Sequence, residues 1–511
     1  MFKKILKYYG GIGLGVIVTV GVILRFSKIL CLRDFWYDEA FTGIITRMSW
    51  PEMQSMIFRD VHPPLYYWLL KSWASFVGYS GVSLRLFSLF IGLLSIVSVY
   101  YVGKKIFNKK VGLLSAFIMA ISPFAIQYSQ EARMYSLFAF ITIWLVYFFI
   151  KALQTDMLVY WLAWGFVGGL FFYTHYLSLF FFPIFYLVAV WYKFSELKKE
   201  QDIFQEIFRS FSINYKFWLG VGIIAIFFIT WLPALKQHLS REGLGWVPVA
   251  YFGDLPRTMQ VFFYGHQPGK ILQAIPNEFK QLPFSLSKEA SGKLFANNSL
   301  GLFVLAVILG GLVNIFSHKT FVKNIKDRKN KKVFIILTSL SFGVLFFLIF
   351  LSQLGKHFYV DRYFMPVAVI IYLLLAAIVS GWKKTWQLVF VAGYILTLLW
   401  LKPIPYDSSW VQVWSDTSLV NSQTIVIADN AFEYATARFH FGEGRVKMYN
   451  RGEPNQDFSL WIIVKPEDQI TKLDNYLQQK NVIYVGAGDC HWNEYNLKPT
   501  KKVGRLQVCK N

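Results

Sequence analysis

The chain has 511 residues, 55% hydrophobic, 19% aromatic and only 16% charged, with a formal net charge of +23 and a mean hydropathy of +0.42. Repeated apolar runs of about 20 residues, each long enough to cross a bilayer, exclude a soluble globular protein. The Lys and Arg residues gather in short loops between these runs, where they act as topology signals, so the positive charge is no sign of a nucleic-acid partner.

Met1-Phe2-Lys3-Lys4 gives a basic start, and the following run ends without a small-residue cleavage site, which predicts a retained first helix or signal anchor. Predicted spans fall at roughly 10–30, 83–103, 111–128, 135–150, 157–173, 176–192, 217–235, 299–317, 333–352, 359–381 and 385–401, about eleven crossings in all. With a cytoplasmic N-terminus the basic loops at Lys104-Lys105 and Lys109-Lys110, Lys193 to Lys199, Lys319 to Lys332 and Lys383-Lys384 all fall inside. Pro63 to Gly78 is also apolar, but a full crossing there would reverse every later loop. It is predicted to be an interfacial or re-entrant helix.

Just beyond the first span, Trp36-Tyr37-Asp38-Glu39 sets two carboxylates side by side. Acidic residues at the mouth of a helix bundle mark a substrate path, a proton relay or a catalytic group. Ser49-Trp50-Pro51-Glu52 reads as a helix start, with Ser49 as N-cap and Pro51 in the first turn, and the helix is predicted to lie on the membrane surface. His62-Pro63-Pro64 then fixes an extended approach to the next aromatic segment. In this topology Asp38, Glu39, His62, Gln130-Glu131-Ala132-Arg133, His175, the loop from Lys236 to Asn298 and Asp361-Arg362 all emerge on the outer face. Each has a structural reading too: Arg133 and Arg362 as snorkelling anchors, His175 as an interface histidine, Glu131 as a partner for Arg133. Their convergence on one face favours a site.

Aromatic material for a lipid groove is abundant at Phe171-Phe172-Tyr173, Phe180 to Phe182 and Phe262-Phe263-Tyr264, although helix packing and belt residues have the same composition. The glycines and prolines of Arg241 to Pro248 and Gly265 to Gly269 suit a cover over a site, and equally a loop without a catalytic part. After Leu401 the composition becomes that of a soluble fold. Thr424 to Ala428, Trp461 to Val464 and Val482 to Val485 read as strands, and Ala431 to Phe439 and Pro466 to Gln479 as helices. The expected fold is a polytopic α-helical membrane protein with outer-face interfacial helices and a small C-terminal α/β domain: 1–401 transmembrane, 402–511 extracytoplasmic. No glycine-rich nucleotide fingerprint follows the first strand of that domain. Cys490 and Cys509 lie in it and a bridge between them is one of two readings, packed thiols being the other; Cys31 ends the first span.

The motifs Tyr37-Asp38-Glu39-Ala40, His62-Pro63-Pro64-Leu65-Tyr66, Ser83-Leu84-Arg85-Leu86, Ser122-Pro123-Phe124 and Tyr128-Ser129-Gln130-Glu131-Ala132-Arg133-Met134-Tyr135-Ser136-Leu137, in this order, resemble the N-terminal signature of the C-type membrane glycosyltransferases. The nearest group is glycosyltransferase family 39, whose relatives include protein O-mannosyltransferases and lipid A aminoarabinose transferases. The match covers roughly the first 200 residues, with weaker agreement at Asp361-Arg362-Tyr363.

This resemblance implies a polyprenyl-phosphate-linked sugar as donor, drawn from the membrane lipid, and a glycan, lipid or protein acceptor on the outer face. Asp38, or its neighbour Glu39, would be the general base of an inverting single displacement. Arg133 and Arg362 would hold the donor phosphate, a task that suits a guanidinium fork. His62, Glu131, Tyr135 and His175 are the remaining substrate-binding candidates. No close ligand spacing points to a metal, and the resemblance leaves a divalent ion open. A lipid-linked-sugar flippase or transporter is the main alternative, but it would place key charges in mid-membrane helices or show repeated halves. A noncatalytic scaffold would leave the ordered polar motifs unexplained, and an oligosaccharyl transferase would carry a larger outer domain.

Overall fold

The computed structural model describes residues 2–29, 34–196, 215–239, 247–265, 303–310, 328–400, 409–449, 463–477, 479, 481–487, 498–503 and 506–510. The loop around Arg241, the segment following Gly265, most of the 319–332 loop, Cys31 and Cys490 lie outside these residues, and the expected span at 299–317 is described only as a helix at 303–310. Cys509 is disulfide-bonded.

Besides the short helix at 303–310 and a turn near the C-terminus, the described helices in chain order are α1 (Phe2–Ile29), α2 (Tyr37–Arg47), α3 (Trp50–Arg59), α4 (Leu65–Val77), α5 (Gly81–Ile106), α6 (Lys109–Ile121), α7 (Pro123–Ser129), α8 (Tyr135–Thr155), α9 (Leu158–Thr174), α10 (Phe181–Phe194), α11 (Tyr215–Leu239), α12 (Asp254–Tyr264), α13 (Arg328–Gln353), α14 (Met365–Ser380), α15 (Lys384–Trp400), α16 (Ser409–Ser415) and α17 (Ala431–Phe441). Six of the described helices are long and apolar enough to cross a membrane, seven if the bent α6–α7 pair counts as one span, and 12–27, 158–174 and 384–399 are shorter apolar helices. The protein is a multi-pass membrane protein.

The expected single span at 111–128 is broken by 63° between α6 and α7. Pro123 keeps Ser122 out of the helical region, and the Ser122 hydroxyl accepts from Ala125 N at 3.2 Å to start the second helix. The carbonyls left at the end of α6 are taken up from α1: the fully buried Arg25 donates to Ala120 O at 2.8 Å and Met119 O at 3.0 Å. The negative end of the helix dipole thus faces a guanidinium.

Pro63 to Gly78 forms α4, only 13 residues, or about 20 Å, well short of a hydrocarbon core of about 30 Å. Before it, α3 starts on a capping box: Ser49 Oγ accepts from Glu52 N at 3.4 Å and Ser49 N donates to Glu52 Oε2 at 2.9 Å. Elsewhere, small residues let helix backbones meet. A Cβ on Gly165 of α9 would lie 2.5 Å from Gly220 O of α11, and one on Gly169 would lie 2.3 Å from the Phe227 ring.

The C-terminal part is a six-stranded sheet in the order β3-β2-β1-β4-β6-β5, formed by β1 (Ile425–Ala428), β2 (Val446–Tyr449), β3 (Gln469–Ile470), β4 (Val482–Ala487), β5 (Lys498–Val503) and β6 (Leu506–Lys510). The first four strands in spatial order pair in parallel, with Val426 opposite Val446 and Ile483, and β6 and β5 close the sheet antiparallel. Two expected elements differ. The helix expected over Pro466 to Gln479 is a 3-10 turn at Pro466–Asp468, the short strand β3 and one helical turn at Asp474–Leu477, because Gln469 and Ile470 pair with Met448 and Tyr449. The described residues of the expected strand at Trp461 to Val464, Ile463 and Val464, form a turn.

Gly165→Leu is expected to force α9 and α11 apart and destabilise the protein by about 1–3 kcal/mol. A melting temperature in detergent equal to that of the wild type would show that the close approach is not needed.

Candidate functional site

The site is assembled at the N-terminus of α2, where Trp36 is extended and Asp38 and Glu39 occupy the first turn. Carboxylates there face the positive end of the helix. Successive helical residues are turned about 100° apart, so the two neighbours part company.

Glu39 turns inward and is fully buried. Arg85 of α5 grips it with a fork, Nε to Oε1 and Nη2 to Oε2, both at 2.8 Å, and Ala132 N adds a third bond to Oε1 at 2.8 Å. The same Arg85 Nη2 donates to Asp34 O at 2.8 Å, and its guanidinium lies over the Phe35 ring at 4.4 Å.

Asp38 turns the other way and keeps 28% of its side chain exposed. Its Oδ2 lies 3.8 Å from Arg133 Nη2 and 3.9 Å from Arg362 Nη2. The Asp38 carbonyl and Thr42 Oγ1 accept from Arg133 Nη1 at 3.3 and 3.1 Å. The structure thus brings Asp38, Arg133 and Arg362 together, as the sequence suggested, and takes Glu39 out of the open part of the site.

Arg133 is itself held by a buried chain. Its Nη2 donates to His62 Nε2 at 3.1 Å, and His62 Nδ1 donates to Asp60 Oδ2 at 3.0 Å. These partners assign the His62 proton to Nδ1. Asp60 also accepts from the Tyr67 hydroxyl at 3.0 Å, and that hydroxyl lies 3.4 Å from Arg133 Nη1. Arg362 is placed differently. It sits on a 3-10 turn, Asp361–Phe364, with its guanidinium over Trp36 at 5.2 Å and Tyr363 at 5.5 Å. Its neighbour Asp361 meets Arg257 of α12 at 3.5 Å, and Arg257 meets Asp254 at 3.3 Å.

Two further donors converge on these cations. His175 Nδ1 accepts from Leu177 N at 3.1 Å, which leaves the ring proton on Nε2. That Nε2, the Tyr135 hydroxyl and Arg133 Nε are buried without a hydrogen-bond partner among the described residues. Buried polar groups left this way are uncommon and suit a site that a ligand completes. The His175 ring lies 4.6 Å from Tyr363, 6.0 Å from His62 and 6.5 Å from Tyr135. Burial, reinforced by His62, Arg133 and Arg362, holds the His175 imidazole well below its ordinary value, so it is neutral. Glu131 is buried one step away, accepting from Gln127 Nε2 at 3.3 Å.

Among the described residues no three His, Cys, Asp or Glu side chains form a metal-binding group. Both ring nitrogens of His62 and Nδ1 of His175 are already engaged, so these residues do not fit a metal. Sequence reasoning gave no role to Asp60, Thr42, Tyr67 or Arg85. Arg85 stood in a quoted motif, and Asp60 lies two residues before His62, but their partners are defined only in space.

The family model for dolichyl-phosphate-mannose-protein mannosyltransferase matches residues 61–201. No curated protein matches the chain in sequence. Among solved structures, apo ArnT from Cupriavidus metallidurans superposes with a TM-score of 0.57 at 11% identity, covering 97% of each chain. The same enzyme bound to undecaprenyl phosphate gives 0.47 at 13% identity, again over 97% of each chain. The oligosaccharyltransferase of Archaeoglobus fulgidus, tethered to an acceptor peptide, gives 0.49 at 13% identity, over 86% of this chain and 64% of its own. The chain therefore has the fold of ArnT, and its resemblance to the family 39 C-type membrane glycosyltransferases rests on that fold and on the family model over 61–201.

Proposed function

We propose that this protein transfers a sugar from a polyprenyl-phosphate carrier to an acceptor hydroxyl at the outer face of the membrane, with inversion at the anomeric carbon. The observation that carries the reading is the partly exposed Asp38 carboxylate set between two guanidinium groups at 3.8 and 3.9 Å. The family model, whose description names a dolichyl-phosphate sugar, supports the class of donor.

In this reading the donor phosphate lies against Arg133 and Arg362, where planar guanidinium forks match its oxygens. The Tyr135 hydroxyl and His175 Nε2–H add two neutral donors, and His62 acts through Arg133 by holding it in place. Asp38, released from its cations by the phosphate, takes the proton of the acceptor hydroxyl as that oxygen bonds to the anomeric carbon. The bond from this carbon to the phosphate oxygen breaks, and its electron pair leaves on the polyprenyl phosphate. Charge grows on the phosphate in this step, so cations fixed beforehand lower the barrier. Glu39 positions α2 and takes no proton. Glu131, two residues before Arg133, is assigned to the substrate side. Residues 1–401 form the membrane catalytic domain, and 402–511 form a domain on the outer side, with the acceptor a glycan, lipid or protein.

The test is release of polyprenyl phosphate, together with sugar in product, from a panel of polyprenyl-phosphate sugars incubated with purified protein and membrane extract. Asp38→Asn is expected to lower turnover by about 10²–10⁴-fold with the melting temperature unchanged; wild-type turnover would remove Asp38 as the base. Movement of labelled donor across the bilayer without its consumption would instead mark a flippase. Arg133→Ala or Arg362→Ala should raise the donor KM, and unchanged donor dependence in both would sink the phosphate assignment.

Glu39→Ala should cost about 3–5 kcal/mol of stability by leaving Arg85 buried without its carboxylate. An unchanged melting temperature would contradict that structural role.

The neutral state of His175 has a consequence for stability. Its folded value lies well below that of an ordinary histidine, so as the pH falls through the ordinary histidine range the unfolded chain takes up the proton first and stability falls. His440, pushed down to about 4 by burial and by Arg85 and Arg47, acts with the same sign. The melting temperature should therefore drop between pH 7 and 5, and His175→Gln should shrink the slope without removing it. An identical slope in the variant would show that His175 titrates normally.

A further inference from the structure

We infer that the C-terminal α/β domain is part of the catalytic unit, fixing the segment 34–38 through Phe439 and Asp34 and so setting where the Asp38 carboxylate points. The inference rests on Asp38 being the base proposed above.

One face of α17 runs along α2. Phe432, Thr436 and Phe439, spaced by four and three residues, lie on the same side of that helix. Phe432 meets Tyr37 with ring centroids 4.5 Å apart, and Thr436 Oγ1 donates to Phe35 O at 3.2 Å. Phe439 stacks on Phe35 at 4.1 Å, and Arg47 both lies over its ring at 4.3 Å and donates to its carbonyl at 3.0 Å. The rings fit because two glycines leave room. A Cβ on Gly43 would lie 2.5 Å from the Phe439 ring, and one on Gly81 would lie 3.0 Å from Phe35.

The second tie runs the other way. Asp34, four residues before Asp38 and buried, accepts from Trp410 N at 2.9 Å and Val411 N at 2.8 Å, two amides in the first turn of α16. A side chain from the membrane part thereby caps a helix of the soluble part. The Asp34 carbonyl is meanwhile held by Arg85.

The extended residues 34–36 are thus clamped from both sides, by Arg85 below and by α16 and α17 above, before the chain turns into α2. The contacts that join the domain to this segment do not involve Arg133 or His62. Loosening the domain should displace the base while leaving in place the supports that Arg133 draws from His62, Asp60 and Tyr67. Small displacements of a base are expensive, since a shift of about 1 Å can cost about 100-fold in rate.

The experiment uses the full-length protein and the donor-release assay above. Phe439→Ala is expected to lower kcat about 10- to 100-fold with the donor KM within about twofold of wild type, the pattern of a misplaced base. Phe439→Leu, which refills part of the notch, should recover part of the loss. Asp34→Asn, which keeps the backbone and volume but weakens the cap, should lower kcat in the same sense and serves if Phe439→Ala does not insert. Unchanged kcat in Asp34→Asn and in whichever Phe439 variant inserts would overturn the inference. So would a loss of rate that matches only the loss of folded protein, or one that appears mainly in the donor KM. Failure of the wild type to consume donor would remove the function itself, a result distinct from an active wild type with unaffected variants.

Discussion

The fork between Arg85 and Glu39 is the constraint on which the site depends. Both carboxylate oxygens are taken by one guanidinium, a backbone amide completes the shell, and the pair is sealed from solvent. A buried pair of this kind adds little net stability compared with apolar residues of the same shape, but breaking it is costly. Its effect is therefore one of register. It joins α2 to α5, to the 130–134 loop that carries Arg133, and, through the Asp34 carbonyl, to the segment that precedes α2. With Glu39 fixed inward, helical geometry turns Asp38 outward. Neighbouring carboxylates that look interchangeable in sequence acquire unlike tasks from a rotation of about 100°.

The two cations around Asp38 are prepared in different ways. Arg133 is fully enclosed, and the chain from Asp60 through His62 fixes its plane before any ligand arrives. Arg362 lies against aromatic rings on a short turn, and its neighbour Asp361 is tied to α12 by Arg257. One wall of the pocket thus belongs to the α2–α8 core, and the other to the turn before α14. Preorganised charge of this kind is effective because no reorganisation remains to be done when charge develops.

The sequence marked the chain as a multi-pass membrane protein because long apolar runs need no partner to be recognised, and it marked the polar residues that gather around Asp38 because charge is rare near such runs. It did not separate the roles of Asp38 and Glu39, since the deciding contact is with Arg85, 46 residues away. Asp60 was hidden for the same reason: its importance lies in touching His62 and Tyr67. Ser122-Pro123 was visible as a motif, but the bend also needs the carbonyl cover that Arg25 brings from α1. In the soluble domain, β1 and β4 are apolar and legible, whereas β5 is exposed along Lys498 to Lys502 and offers no hydrophobic period.

In the proposed reaction, the neutral donors in the pocket would let it serve a phosphate leaving group without disabling its own base. If His175 were a third cation, it would draw Asp38 further into ion pairing and compete with the acceptor hydroxyl for the carboxylate. Burial beside Arg133 and Arg362 keeps it neutral, and the bond from Leu177 N to Nδ1 aims its remaining proton outward from Nε2. Tyr135 adds a second neutral donor, its hydroxyl. In that reading two guanidiniums supply the charge that answers a departing phosphate, and the neutral groups supply direction. In the proposed reaction this division of labour would set Asp38 against cations in the absence of donor and against an acceptor hydroxyl in its presence, with the arriving lipid phosphate freeing the base.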